Sequence, residues 1–114
     1  MSTDLEIVVA FTTVATEKQA ESLAKTLVTT ALAACVQIDG PIRSFYLWPS
    51  ESGENQQEES SEFRLSIKAT KAQIDKIEQK LAELHPYEVP QWVVIQAQAS
   101  HGYGDWIRNS KNPE

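Results

Sequence analysis

The chain has 114 residues, enough for one domain, and its 41% hydrophobic and 23% charged content is ordinary for a globular protein. No run approaches the roughly 20 apolar residues of a membrane helix, no basic, apolar leader opens the chain, and a single cysteine excludes an internal disulfide. The formal charge is −6 and no basic patch is visible, so nucleic acid and membrane are not expected partners. These features predict a single domain over 1–114 in a reducing compartment, the cytoplasm.

Residues 5–11, Leu-Glu-Ile-Val-Val-Ala-Phe, are too apolar for a half-exposed strand and predict a central strand covered on both faces. Thr16-Glu17-Lys18-Gln19 fits a capping box. Ala20, Leu23, Ala24, Leu27, Val28, Ala31 and Leu32 follow in steps of three and four, which predicts an amphipathic helix over 17–32. Residues 33–38, holding Cys35, predict a second strand. Asp39-Gly40-Pro41 interrupts it, because Pro cannot donate to a ladder, and residues 42–48, Ile-Arg-Ser-Phe-Tyr-Leu-Trp, resume it.

Residues 49–62 contain Glu51, Glu54, Glu58, Glu59 and Glu62 but no apolar side chain, Lys or Arg. Removing those five from the 16 acidic residues leaves 11 against 10 basic ones, so the acidity belongs to this segment. It predicts a flexible, solvated hairpin tip, with an acidic patch that gathers cations without a fixed site as the alternative, and its spacing matches no calcium loop. Phe63, Leu65, Ile67 and Ala69 then alternate with Arg64, Ser66, Lys68 and Thr70, the pattern of a strand with one covered face. Thr70-Lys71-Ala72-Gln73 repeats the capping-box pattern. Ile74, Ile77, Leu81 and Leu84 form a second helical stripe ending near His85-Pro86. Residues 92–99 predict a last strand, which Gly102 and Gly104 break before a short terminal helix around Asp105–Arg108. His101 falls in this break and reads as a solvated loop residue.

The order strand, helix, strand, strand, helix, strand is the split βαβ pattern of an α+β, ferredoxin-like fold. It predicts an antiparallel sheet with two helices on one face. The other face carries Lys68 and some of Tyr46, Trp48 and Trp92, so a partner subunit is expected to cover it.

Three segments then stand together: Leu32-Ala33-Ala34-Cys35-Val36, Ile42-Arg43-Ser44-Phe45-Tyr46-Leu47-Trp48 and His85-Pro86-Tyr87-Glu88-Val89-Pro90. In this combination, running on to Tyr103-Gly104-Asp105-Trp106-Ile107, the chain resembles the CutA divalent-cation-tolerance family. The resemblance implies a homotrimer of PII-like architecture with clefts between subunits, tolerance to copper and other divalent cations, and metal binding. Two departures stand out. Pro49 follows Trp48 where relatives continue with x-Gly-Lys, and Thr12 stands where some relatives carry a second cysteine.

Cys35 and His85 are the candidate metal ligands, since thiolate suits Cu(I) and imidazole suits Cu(II) or Zn(II). The alternatives are a small buried hydrophobe for Cys35 and a helix cap for His85. With no Cys-x-x-Cys or His-x-x-x-His pair, a metal site would be incomplete, weak or shared between subunits. Trp48, Tyr87 and Trp106 are candidates for lining a ligand cleft or for packing between subunits. Lys68 and Glu88 are candidates for an ion pair across subunits, or Lys68 for an anion site. No nucleophile elbow, P-loop or dinucleotide fingerprint occurs, and nothing is nominated to react beside His85. The expected function is therefore non-enzymatic, with no required cofactor and Cu(II) or another divalent cation as ligand. The rival reading is a PII-like small-molecule sensor.

Overall fold

A computed structural model of the chain describes residues 3–110, so the ends of the expected 1–114 domain lie outside the described residues. The elements are β1 (Thr3–Val14), α1 (Glu17–Thr29), β2 (Cys35–Pro49), β3 (Asn55–Thr70), a 3-10 turn (Lys71–Gln73), α2 (Ile74–Leu84), β4 (Val93–Ser100) and α3 (His101–Ser110). The four strands form one antiparallel sheet in the order β2-β3-β1-β4. That is the expected ferredoxin-like α+β arrangement.

The core lies between the sheet and the helices α1 and α2. Ala20, Leu23 and Leu27 of α1 and Ile77 and Leu81 of α2 join Val8, Ala10, Leu65 and Ile67 in one buried cluster. The even residues of β1 and the odd residues of β3 therefore face the helices, as alternation requires. Thr16 caps α1 in a complete capping box: its hydroxyl accepts from the Gln19 amide, and the Gln19 side chain accepts from the Thr16 amide.

Several expectations are corrected. The helix over 17–32 stops at Thr29, because Ala31 turns left-handed at φ 60° and the Leu32 and Ala33 amides both fold back onto the Leu27 carbonyl. The Thr70 capping box does not form; the Thr70 hydroxyl is buried without a hydrogen-bond partner and a 3-10 turn precedes α2. Trp92 packs against the helix-side core rather than on the opposite face. Gly102 and Gly104 do not break the chain but lie inside α3, which begins at His101; an exposed His101 faces Asp105 at 3.4 Å one turn on. The face opposite α1 and α2 is also partly covered, since Ile107 of α3 and Ile7 of β1 are both buried there.

The largest correction concerns 49–62. Only Ser50–Glu54 turn, with Gly53 at φ 92°, and residues 55–62 are strand, paired with 42–49. A two-stranded ladder satisfies its own backbone groups, so its outer strand needs no apolar side chains. Cross-strand polar pairs do the rest: Arg43 donates to Glu59 at 2.8 Å, Ser44 to Glu62 at 2.8 Å, and Tyr46 meets Ser60 at 2.6 Å. The result is an arm that leaves the body of the domain.

At the root of this arm β2 carries one extra residue. Asp39 pairs with Arg64 but Ile42 with Glu62. Gly40 sits in this bulge at φ 150°, where an added Cβ would meet the Glu62 carbonyl at 2.9 Å and Phe63 at 2.8 Å.

Candidate functional site

β1 ends at Val14, opposite Phe63 of β3. Glu62 is the next residue outward, where a sheet of several strands narrows to the two-stranded arm. The segment after α2 fills part of this step. Pro86 ends the helix by forcing His85 into an extended conformation at ψ 134°, and Pro90 stiffens the far side of the loop. Between arm and loop lies a cleft of about 880 Å³ lined by Thr13, Ser44, Phe45, Tyr46, Trp48, Glu58, Glu62, Tyr87, Glu88, Val89 and Gln91.

Glu62 anchors the cleft. Its carboxylate accepts from the Ser44 hydroxyl at 2.8 Å, the Tyr87 phenol at 3.0 Å and the Thr13 hydroxyl at 3.3 Å. Burial, the hydrogen bond to Glu62 and the charge of Glu62 push the Tyr87 phenol up to about 12. Trp48 and Tyr46 stand edge to face on one side of the arm, 6.4 Å apart at 86°, both half exposed.

His85 supports the loop from behind. Its own amide donates to the Leu81 carbonyl, closing α2. Its Nδ1 accepts from the Tyr87 amide at 3.1 Å, so the ring proton sits on Nε2, which lies 3.0 Å from both the Thr13 carbonyl and the Thr12 hydroxyl. Desolvation holds His85 below its ordinary 6.5, against the opposing pull of the Thr13 carbonyl and Glu62. This is a neutral histidine with both nitrogens engaged, positioning Tyr87 at a ring separation of 5.0 Å.

Cys35 lies elsewhere. It pairs with Lys68, which pairs with Val9. Val9 and Thr12 are three residues apart on β1, so Cys35 and the hydroxyl that His85 meets are on opposite faces of the sheet. Within one chain the two do not meet. No group of three His, Cys, Asp or Glu side chains among the described residues could hold a metal ion.

Of the five candidate cleft residues, Trp48, Tyr87 and Glu88 line this cleft. Lys68 does not. It lines a second, smaller cleft of about 350 Å³ under α3, with its Nζ 5.7 Å from the Tyr103 ring centre. Trp106 stacks on Tyr103 at 5.6 Å and is half exposed. The main cleft is thus aromatic and acidic, with no Lys or Arg in its lining among the described residues. Sequence reasoning missed Ser44 and Thr13, and it placed Glu58 and Glu62 in an acidic tip rather than in a cleft. Extending the alternation of β3 back from Arg64 to Glu62 was the available signal, and the lack of apolar residues obscured it.

The family profile described as "CutA1 divalent ion tolerance protein" matches residues 8–110. The divalent-cation tolerance protein CutA of Thermus thermophilus is 37% identical over 103 residues, covering 90% of this chain and 95% of that one. Human protein CutA is 32% identical over 87% of this chain, which spans only 53% of the human protein. The structure of CutA from Synechococcus elongatus superposes with a TM-score of 0.84 at 36% identity, covering 98% and 95% of the two chains. A structure of that protein complexed with a Bis-Tris molecule gives 0.84 at 35% identity, covering 96% and 97%.

Proposed function

Because the chain belongs to the CutA1 divalent ion tolerance protein family, we propose that it is a homotrimeric, non-enzymatic cation-tolerance protein of the cytoplasm that binds Cu(II) or another divalent cation. The family match over residues 8–110 carries this reading. Assembly is supported by the exposed apolar side chains of the arm, Phe45, Leu47 and Trp48, and of the edge strand β4, Val93, Val94 and Ile95, all 41% exposed or more. A non-enzymatic role is supported by His85, whose two ring nitrogens are both engaged, so it is not free to act as a general base. The single free cysteine is consistent with a reducing compartment. Relatives named chloroplastic and periplasmic make cell fractionation the direct check of location.

One chain offers no converging ligand set among its described residues. Metal binding is therefore proposed to draw on more than one chain, with Cys35 as one contributor. Native mass spectrometry with and without a small excess of Cu(II) or Zn(II) tests assembly and metal together. The expected spectrum is a trimer taking up about one copper per chain, lost in Cys35→Ser. A monomer at micromolar concentration contradicts the assembly, and a broad, unsaturating metal series contradicts a defined site.

A second reading, a PII-like small-molecule sensor, is favoured by the aromatic cleft around Trp48 and Tyr87. The Synechococcus relative complexed with Bis-Tris supports it. A cleft ligand should raise the melting temperature of the wild type by mass action, and Trp48→Ala should abolish that rise. A metabolite panel that shifts neither protein removes the reading.

A further inference from the structure

We propose that the arm-root cleft binds an extended organic polyamine, a chain of methylene groups carrying two or more ammonium centres. The proposal rests on the reading of this cleft as a small-molecule site. The cleft volume of about 880 Å³ lies within the range of small-molecule sites, about 300–1,000 Å³.

Charge decides the class of occupant. Glu58, Glu62 and Glu88 line the cleft, and among the described residues no Lys or Arg does. The nearby Arg43 is engaged with Glu59 and lies over the Phe45 ring, 5.1 Å from its centre. An anion would meet only repulsion here, and a neutral apolar ligand would bury carboxylates without compensation. The walls add a second preference. Trp48 and Tyr46 both line the cleft, and aromatic rings attract ammonium groups and cover methylenes equally well.

Spacing then separates an organic cation from a metal ion. Glu58 and Glu62 are four residues apart on one face of β3, about 13 Å along the strand. Ligands of one calcium or magnesium ion lie about 2.0–2.6 Å from it, so these two cannot share one. Charges separated by methylene spacers suit such carboxylates. Between them Ser60 is tied to Tyr46, which holds that ring at the cleft wall. Glu62 is also held in place. Three hydroxyls occupy three of its roughly four acceptor sites, which leaves one directed position for an ammonium donor.

Isothermal titration calorimetry of the full chain with spermidine tests this, at low and at moderate salt. Saturable binding is expected, with butylamine, which carries one ammonium, weaker by about tenfold or more. Trp48→Ala and Glu58→Gln should each weaken spermidine by about tenfold, and Glu78→Gln on the exposed face of α2 should leave it unchanged. Glu58→Gln leaves the Glu62 hydroxyl network intact, so it remains informative if Trp48→Ala is unstable. Absence of saturable heat, or an equal loss in Glu78→Gln, overturns the proposal, the latter by revealing general attraction to an acidic chain. A neutral or anionic compound that raises the melting temperature through Trp48, while spermidine does not bind, keeps the sensor reading and overturns the polyamine. If nothing binds and Trp48→Ala dissociates the assembly in native mass spectra, both fall and the cleft is a contact between copies.

Discussion

His85 stands at the end of α2 and ties three parts of the chain together: the helix, the last residues of β1 and the loop that carries Tyr87. Replacing it by Ala leaves the Thr13 carbonyl and the Tyr87 amide without this partner, at a cost of about 1–3 kcal/mol in unfolding free energy. Its lowered pKa also gives stability a pH dependence. Between the folded value and the ordinary 6.5, the unfolded chain binds the proton and the folded chain does not. Stability contributed by the neutral ring is therefore full above 6.5 and is lost as the pH falls through that window. Glu62, the acidic group acting on His85, opposes the shift without reversing it. Thermal unfolding at descending pH should show a steeper acid loss in the wild type than in His85→Ala; parallel profiles would refute this. Tyr87 has the reverse exposure. Its phenol, pushed up to about 12, stays protonated in the folded chain while an unfolded tyrosine ionises near 10, so stability falls as pH rises between those values.

At the scale of elements, the arm is where sequence reasoning and structure part. Periodicity identified α2 and the inner half of β3 because buried faces impose a rhythm on apolar residues. The outer half of β3 buries nothing within the chain, so no rhythm marks it. What holds it is pairing to β2 and the bulge at Gly40. The sequence marked that bulge through Asp39-Gly40-Pro41, but the close approach of Glu62 and Phe63 to Gly40 is visible only in the fold. Gly40→Ala would place a Cβ against the Glu62 carbonyl in a conformation that side chains rarely adopt. It should destabilise the chain by about 1–3 kcal/mol and disturb the hydroxyl network on Glu62. Denaturant unfolding measures the first effect. A variant as stable as the wild type would mean that the bulge relaxes freely.

At the scale of the whole molecule, the described residues extend 54 × 28 × 23 Å, with a radius of gyration of 15.8 Å. A compact chain of this length would have about 13 Å. The excess is the arm, which carries Phe45, Leu47 and Trp48 into solvent while β4 exposes Val93, Val94 and Ile95 along an edge. Both are surfaces that a monomer rarely tolerates. Ile95→Asp should therefore reduce the assembly to monomers at micromolar concentration while the helix-side core still folds. Native mass spectrometry alongside circular dichroism reads both outcomes, and an unchanged oligomer would remove β4 from the interface.

The amino-acid sequence by itself determined the element order, the face each helix buries, the capping box at Thr16 and the family. All of these arise from local chemistry or from the apolar pattern of one buried core. It also nominated Trp48, Tyr87 and Glu88, which share a cleft. The tertiary structure alone decided that Cys35 and His85 occupy opposite faces of the sheet and that Lys68 belongs to a different cleft. It alone made Glu62 the anchor of the site. Such placements depend on strand register, on a one-residue bulge and on where β1 stops. A shift of one residue turns every side chain to the other face, and that register is set by pairings between strands far apart in the chain, such as Ile7 with Ala97.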